Sequence, residues 1–263
     1  MDTMAAAGTA LDERSEADRA WARVGRAAAY VAAAGFFAMT LLYLLDQMDL
    51  LAPSPQYVQT SAGQLHDEAR FWAQVFEHQH RILWDVVIRD VVGPAAFIAL
   101  IVVGVALRRR VSGDRPQRQL LVTFLTVGGL IAAISSLLYL GNVEFWRLPW
   151  GPVPSGGETS IVAVGRATTA IDNLTTWPEA FGYVVLALGL WCLGSVVRAE
   201  RPSFSTRLGT LAFVTAGGLA ALAIATALDA ETPRSVLSLA VGVVLAPWLC
   251  FGFARTFGRE AHR

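Results

Sequence analysis

Apolar positions along this 263-residue chain gather into six long runs separated by polar segments. The runs cover residues 27–45, 91–107, 120–140, 181–197, 208–228 and 236–253. Crossing the hydrocarbon of a bilayer takes about 20 apolar residues, each rising ~1.5 Å. Only a helix satisfies its own backbone groups there, so each run predicts a membrane-spanning helix. The second and fourth runs are short. The pattern extends the second back to near Ile82, with charges at its outer end, and the fourth back to Trp177.

The polar segments alternate in charge. Arg14, Arg19, Arg23 and Arg26 precede the first run, and Arg108, Arg109, Arg110, Arg115 and Arg118 follow the second. Arg198, Arg201 and Arg207 follow the fourth, and Arg255, Arg259 and Arg263 end the chain. Arginine-rich short loops stay cytoplasmic, so both termini are expected inside a cell (inner) membrane that the chain crosses as a multi-pass protein. Residues 1–26 are polar and alanine-rich, without the apolar core of a signal peptide. They are expected to form a partly disordered cytoplasmic segment. Residues 27–256 form the membrane domain, with outer loops 46–86 and 141–176, and 257–263 a cytoplasmic tail. The expected fold class is all-α, a polytopic bundle of six transmembrane helices carrying two helical extracytoplasmic loops.

In the first outer loop, residues 61–84 follow a helical pattern with Phe71, Trp72, Val75, Phe76, Ile82 and Leu83 on one stripe. This helix is expected to run on into the second span. Glu77, Arg81, Asp85 and Arg89 follow one another at four-residue intervals. Such a ladder reads first as a solvated, self-paired stripe, each pair contributing about 0.2–0.5 kcal/mol; the alternative is a charged wall facing a cavity. The second outer loop carries a tryptophan-proline cluster at 145–152, in which Trp146 and Trp150, with Trp177 further on, suit an interfacial aromatic belt. A short helix over 158–172 is expected to lie across the outer mouth of the bundle.

A weak repeat joins two spans. Phe124-Leu-Thr-Val-Gly-Gly-Leu-Ile-Ala132 recurs as Phe213-Val-Thr-Ala-Gly-Gly-Leu-Ala-Ala221. Paired glycines let a neighbouring helix approach closely, and packing is the reading preferred over a substrate path. The segments Phe181-Gly-Tyr-Val-Val-Leu-Ala-Leu-Gly-Leu, Arg207-Leu-Gly-Thr-Leu and Ala216-Gly-Gly resemble small six-helix bacterial membrane protein families without assigned chemistry. That resemblance implies a fold and no activity.

Composition narrows the chemistry. The chain is 54% hydrophobic and 16% charged, below the quarter or so usual in soluble domains. Formal net charge is zero, which gives a nucleic acid nothing to grip. All 21 cationic side chains are arginine. Absence of lysine excludes Schiff-base chemistry and a P-loop. An arginine-only, alanine-rich chain fits a GC-rich bacterium, an actinobacterium for example. Cys192 and Cys250 lie in apolar runs and read as small buried side chains.

Asp90 is the first candidate for function. It sits just inside an apolar boundary, where an ionisable group is costly and normally faces the bundle interior. Pro94, one turn on, frees the backbone carbonyl of Asp90. Interfacial placement is the plainer alternative. Tyr43, Asp46, His80, Trp84, Ser136, Tyr139, Asn142 and Trp146 are the other groups expected to converge on an outward pocket. His66, His78, His80 and Glu77 are the weaker candidates for a metal. His78 and His80 point about 200° apart on a helix, and zinc wants three or four convergent ligands. No cofactor is indicated, and no histidine lies in a span to hold a haem. The leading functional expectation is a non-enzymatic sensor, accessory subunit or binder of a lipid-like or apolar ligand. A small-solute transporter and a membrane-embedded, metal-dependent enzyme are the alternatives. Expected partners are the bilayer and either a second copy or another membrane subunit.

Overall fold

The computed structural model describes the backbone of residues 2–109, 116–150, 156–199 and 205–261, and the side chains of 16–109, 116–141, 156–199 and 205–258. It is all-helical, with no strand among the described residues. The helices are α1 (Asp2–Gln47), α2 (Gln64–Arg81), α3 (Leu83–Arg108), α4 (Pro116–Trp150), α5 (Gly157–Ala199), α6 (Thr206–Ala227), α7 (Glu231–Ser238) and α8 (Ala246–Ala261). A π-helical turn, Leu239–Leu245, joins α7 to α8. Six helical stretches are long and apolar enough to cross a membrane: one each in α1, α3, α4, α5 and α6, and a sixth running through α7, the π turn and α8.

The spans form a ring. α1 packs on α3, α3 on α4, α4 on α5 and α5 on α6; the sixth span closes the ring against α6 and α1. At one end Gly25 meets Phe257, Arg26 lies by Gly258 and the Arg109 guanidinium sits 4.9 Å from the Trp21 ring. This is the arginine-rich end. At the other end the chain builds a head from α2, the strap before it (residues 48–63) and the first half of α5.

Small residues set the closest approaches. A Cβ added to Gly128 on α4 would lie 2.7 Å from the Leu186 backbone nitrogen and 3.0 Å from the Gly182 carbonyl of α5. Gly129 faces the other way, toward Ile101 and Phe97 of α3. The first glycine pair is therefore packed on both sides. Its repeat is not equivalent: Gly218 faces Val241 and Leu245, while Gly217 has nothing within 4 Å. The π turn has a local cause. Pro247 lacks an amide hydrogen, and the preceding Ala246 amide reaches back five residues to the Val241 carbonyl. Gly242 in that turn lies against Thr40 of α1, leaving no room for a side chain.

Two expectations about the loops are corrected. The helix over 61–84 does not run straight into the second span; it breaks at Ile82 (φ −97, ψ 12), whose neighbours Arg81 and Leu83 end α2 and begin α3. The helix expected over 158–172 is no separate cap. It is the first half of α5, which continues through Pro178 into the span as one helix of 43 residues. At 1.5 Å per residue that is about 65 Å, twice the ~30 Å of hydrocarbon. α1 likewise begins at Asp2, well before its apolar run.

Candidate functional site

The head is tied together by polar contacts between α2 and α5. Arg166 donates from Nε and Nη2 to the two oxygens of Glu68, both at 2.8 Å, and His66 Nδ1 lies 2.7 Å from Glu158. Trp72 lies directly against Gly165, where any side chain would collide with the indole. The strap is held by short side chains. Asp49 takes a left-handed backbone (φ 57) and accepts from the Ser54 amide at 2.9 Å and from its hydroxyl. Asp67 accepts from the Thr60 hydroxyl at 2.5 Å and amide at 2.8 Å. These donors hold the Asp49 and Asp67 carboxyls below the usual carboxylate range, and Arg166 does the same for Glu68.

Beneath the strap, at the junction of head and bundle, lies a group of buried ionisable side chains. His78 Nδ1 is 2.9 Å from the Pro53 carbonyl, and Nε2 is 3.1 Å from Asp46 Oδ1. One partner is a backbone carbonyl and the other a carboxyl group, both of them hydrogen-bond acceptors. His78 thereby clasps the strap to the end of α1. On α3, Arg89 Nε lies 3.7 Å from Asp90 Oδ1, and its guanidinium is 5.9 Å from the Tyr139 ring. Asp85 is fully buried, and among the described residues neither of its oxygens has a hydrogen-bond partner; Asp90 Oδ2 lacks one as well. The predicted ladder therefore splits. Arg81 and Glu77 pair in solvent at 2.5 Å. Asp85 and Arg89, past the break at Ile82, are drawn inside, and Arg89 turns to its sequence neighbour Asp90 rather than pointing away from it.

A cavity of ≈ 70 Å3 occupies the centre of the ring, lined by five of the six spans. Its wall is mainly apolar, including Phe36, Phe97, Leu186 and Leu249, with Thr40, Thr215 and Ser238 as small polar interruptions. Tyr183 lines it on the head side. Its hydroxyl donates to Glu179 Oε1 at 2.6 Å, and Arg234 Nη2 donates to Glu179 Oε2 at 3.1 Å. Tyr43 is in electrostatic reach of Tyr183 and Arg234. An ion pair bridged to a tyrosine thus caps an apolar hollow.

The sequence candidates divide among these features. Asp90, Asp46 and Tyr139 belong to the buried ionisable group, and Tyr43 to the cap. Ser136 spends its hydroxyl on the Ala132 carbonyl of its own helix, 3.2 Å away. His80 is exposed and Trp84 is 55% exposed, so neither joins a pocket. The side chains of Asn142 and Trp146 lie outside the described residues. None of the other seven candidates lines the central cavity. The suggested metal set is dispersed: His66 goes to Glu158, His78 to Asp46, Glu77 to Arg81, and His80 to solvent. Among the described residues no three His, Cys, Asp or Glu side chains converge as ligands. Trp177, Trp191 and Trp248 are more than half exposed on the bundle flank instead of lining a pocket.

Glu179, Tyr183 and Arg234 escaped the sequence reading. Glu179 and Arg234 each stand two residues before an apolar run, as Asp90 stands one residue before its own, and that position is the signal that could have found them. No protein-family model, curated protein or solved structure matches this chain.

Proposed function

We propose that this chain is a non-enzymatic membrane protein that binds a lipid-like amphiphile, its tail in the central cavity and its polar head at Tyr183, Glu179 and Arg234. One observation carries the reading: the apolar cavity ends at a capped ion pair, so an apolar and a charged surface meet in one path. Ligand sites pair a largely apolar wall with a few convergent polar groups. The cavity has about half the volume of an engineered apolar cavity of ~150 Å3 that takes up benzene. It therefore suits the end of an acyl chain and not a bulky ring system. The π turn in its wall supports the reading, since such turns recur at functional sites. In this proposal the arginine-rich end is cytoplasmic and the head faces the exterior of a bacterial cell.

The test is native mass spectrometry of protein released from nanodiscs, with a short-chain anionic lipid as the added probe. Wild type should retain the lipid. Ala246→Leu, which adds three carbons to the cavity wall, should lose it while melting normally, and Glu179→Gln should weaken retention. Equal retention by wild type and Ala246→Leu would remove the cavity from the account.

A further inference from the structure

We infer that Asp85 is a binding site for one exchangeable proton, closed beneath the strap that His78 clasps. The inference is independent of the central cavity and rests on charge accounting in the buried group. Asp46 is paired with His78 at 3.1 Å, and Asp90 with Arg89 at 3.7 Å. One carboxyl remains. Asp85 has no exposed surface, and among the described residues both its oxygens lack a partner. Its chain neighbours Ile82 and Val86 are packed with Ala52 of the strap. A buried, unpaired carboxylate is costly, and a neutral carboxyl is far less so.

The groups around Asp85 include one fixed cation, Arg89, which Asp46 and Asp90 share with it. α1 presents Asp46, α2 presents His78 through Asp46, and α3 presents Arg89 and Asp90. α4 presents Tyr139 to Arg89. α5 presents Glu179 toward Asp90 and Asp172 toward Tyr139. Among the described residues of this set, Arg89 makes its ion pair with Asp90, and Glu179 has Arg234 as its partner. A divalent metal would need several convergent ligands, which the described residues do not supply here. A proton needs only the carboxylate it neutralises.

The clasp makes the proton exchangeable. His78 holds the strap to the end of α1 through the Pro53 carbonyl and Asp46. When that clasp opens, water reaches Asp85 and the carboxyl ionises. Closed strap and protonated Asp85 form one state; open strap and carboxylate form the other.

The experiment is infrared difference spectroscopy on the whole protein in nanodiscs, stepped from about pH 6 to about pH 9, above the ordinary carboxylate range. The expected result is loss of a protonated-carboxyl C=O band at high pH in wild type and in Asp90→Asn. That band should be missing throughout in Asp85→Asn, an isostere of the protonated form. Hydrogen exchange of residues 49–63, corrected for intrinsic rate, should accelerate over the same step in wild type. His78→Gln should show the fast exchange already at low pH. A wild type without a carboxyl band that Asp85→Asn removes overturns the proposal. So does a band that survives high pH, which would mean a static proton. Stabilisation by sodium over choline that Asp85→Asn abolishes would also overturn it, making this a sodium site.

Discussion

Replacing Gly128 and Gly217 by alanine, one at a time, should move stability in opposite directions although the two glycines occupy the same place in a repeated motif. At Gly128 the new Cβ would stand 2.7 Å from the Leu186 nitrogen and 3.0 Å from the Gly182 carbonyl. Both obstacles are backbone, so no side chain can rotate away. Relief to an ordinary contact of about 3.5 Å needs α4 and α5 to separate by roughly 0.5–0.8 Å. A gap of that size forfeits a quarter to a half of each dispersion contact along the seam. Overpacking of this kind costs about 1–3 kcal/mol, partly offset by about 0.8–1.0 kcal/mol from alanine's better helix propensity. The net expectation is a loss of up to about 2 kcal/mol for Gly128→Ala. At Gly217 nothing among the described residues lies within 4 Å, so only the propensity remains, a gain of up to about 1 kcal/mol. Equilibrium unfolding in bicelles by steric trapping reads both values. A Gly128→Ala protein stabilised as Gly217→Ala is would refute the claim that α4 and α5 touch backbone to backbone.

Arg89→Met should cost about 3–5 kcal/mol in thermal unfolding, because it strands the buried Asp90 carboxylate. Arg81→Ala, one rung outward in the same sequence ladder, should cost about 0.5 kcal/mol or less, since its pair with Glu77 is exposed. Acid should loosen the head first. The Asp49, Asp67 and Glu68 carboxyls are held low in the folded state, so their contribution is present above the ordinary carboxylate range and fades as pH falls through the lowered folded values. Hydrogen exchange of residues 49–68 should therefore rise below about pH 4, and Thr60→Val should bring the onset to higher pH by removing Asp67's main donor. Ser155→Cys should react with an impermeant maleimide on intact cells and Ser112→Cys only after permeabilisation; the reverse would put the head in the cytoplasm.

The six spans were legible because hydrocarbon imposes one rule along about 20 consecutive residues, and no tertiary contact can relax it. Packing by the first glycine pair was legible for a related reason: without a hydrophobic force between helices, close approach needs small residues. The unequal fate of Gly217 was not, because a motif states what a backbone permits and leaves the neighbour unnamed. The loops were read least well. Polar composition at 141–176 predicts a loop, yet α5 is helical throughout its polar half because α2 supplies a partner face, with Trp72 over Gly165 and Glu68 on Arg166. The same tertiary contact turned an expected cap into an extension of a span.

The ionisable residues show the limit most clearly. Four residues at (i, i+4) spacing predict a self-paired stripe only if the helix is unbroken. One non-helical residue, Ile82, rotates the stripe's inner half away from its outer half. That rotation places Asp85 and Arg89 in the interior and leaves Arg81 and Glu77 in water. No local signal marks Ile82, an ordinary β-branched residue in a helical pattern. Its conformation is set by the strap, whose Ala52 packs against Ile82 and Val86, and by the clasp of His78 on Pro53 and Asp46. The residue that breaks the ladder and the histidine that holds the strap thus belong to one packing unit. Opening that unit would release the constraint on Ile82 as well as the cover over Asp85. The charge arrangement at the top of α3 is therefore coupled to the state of the strap, and a perturbation of either should be read in the other.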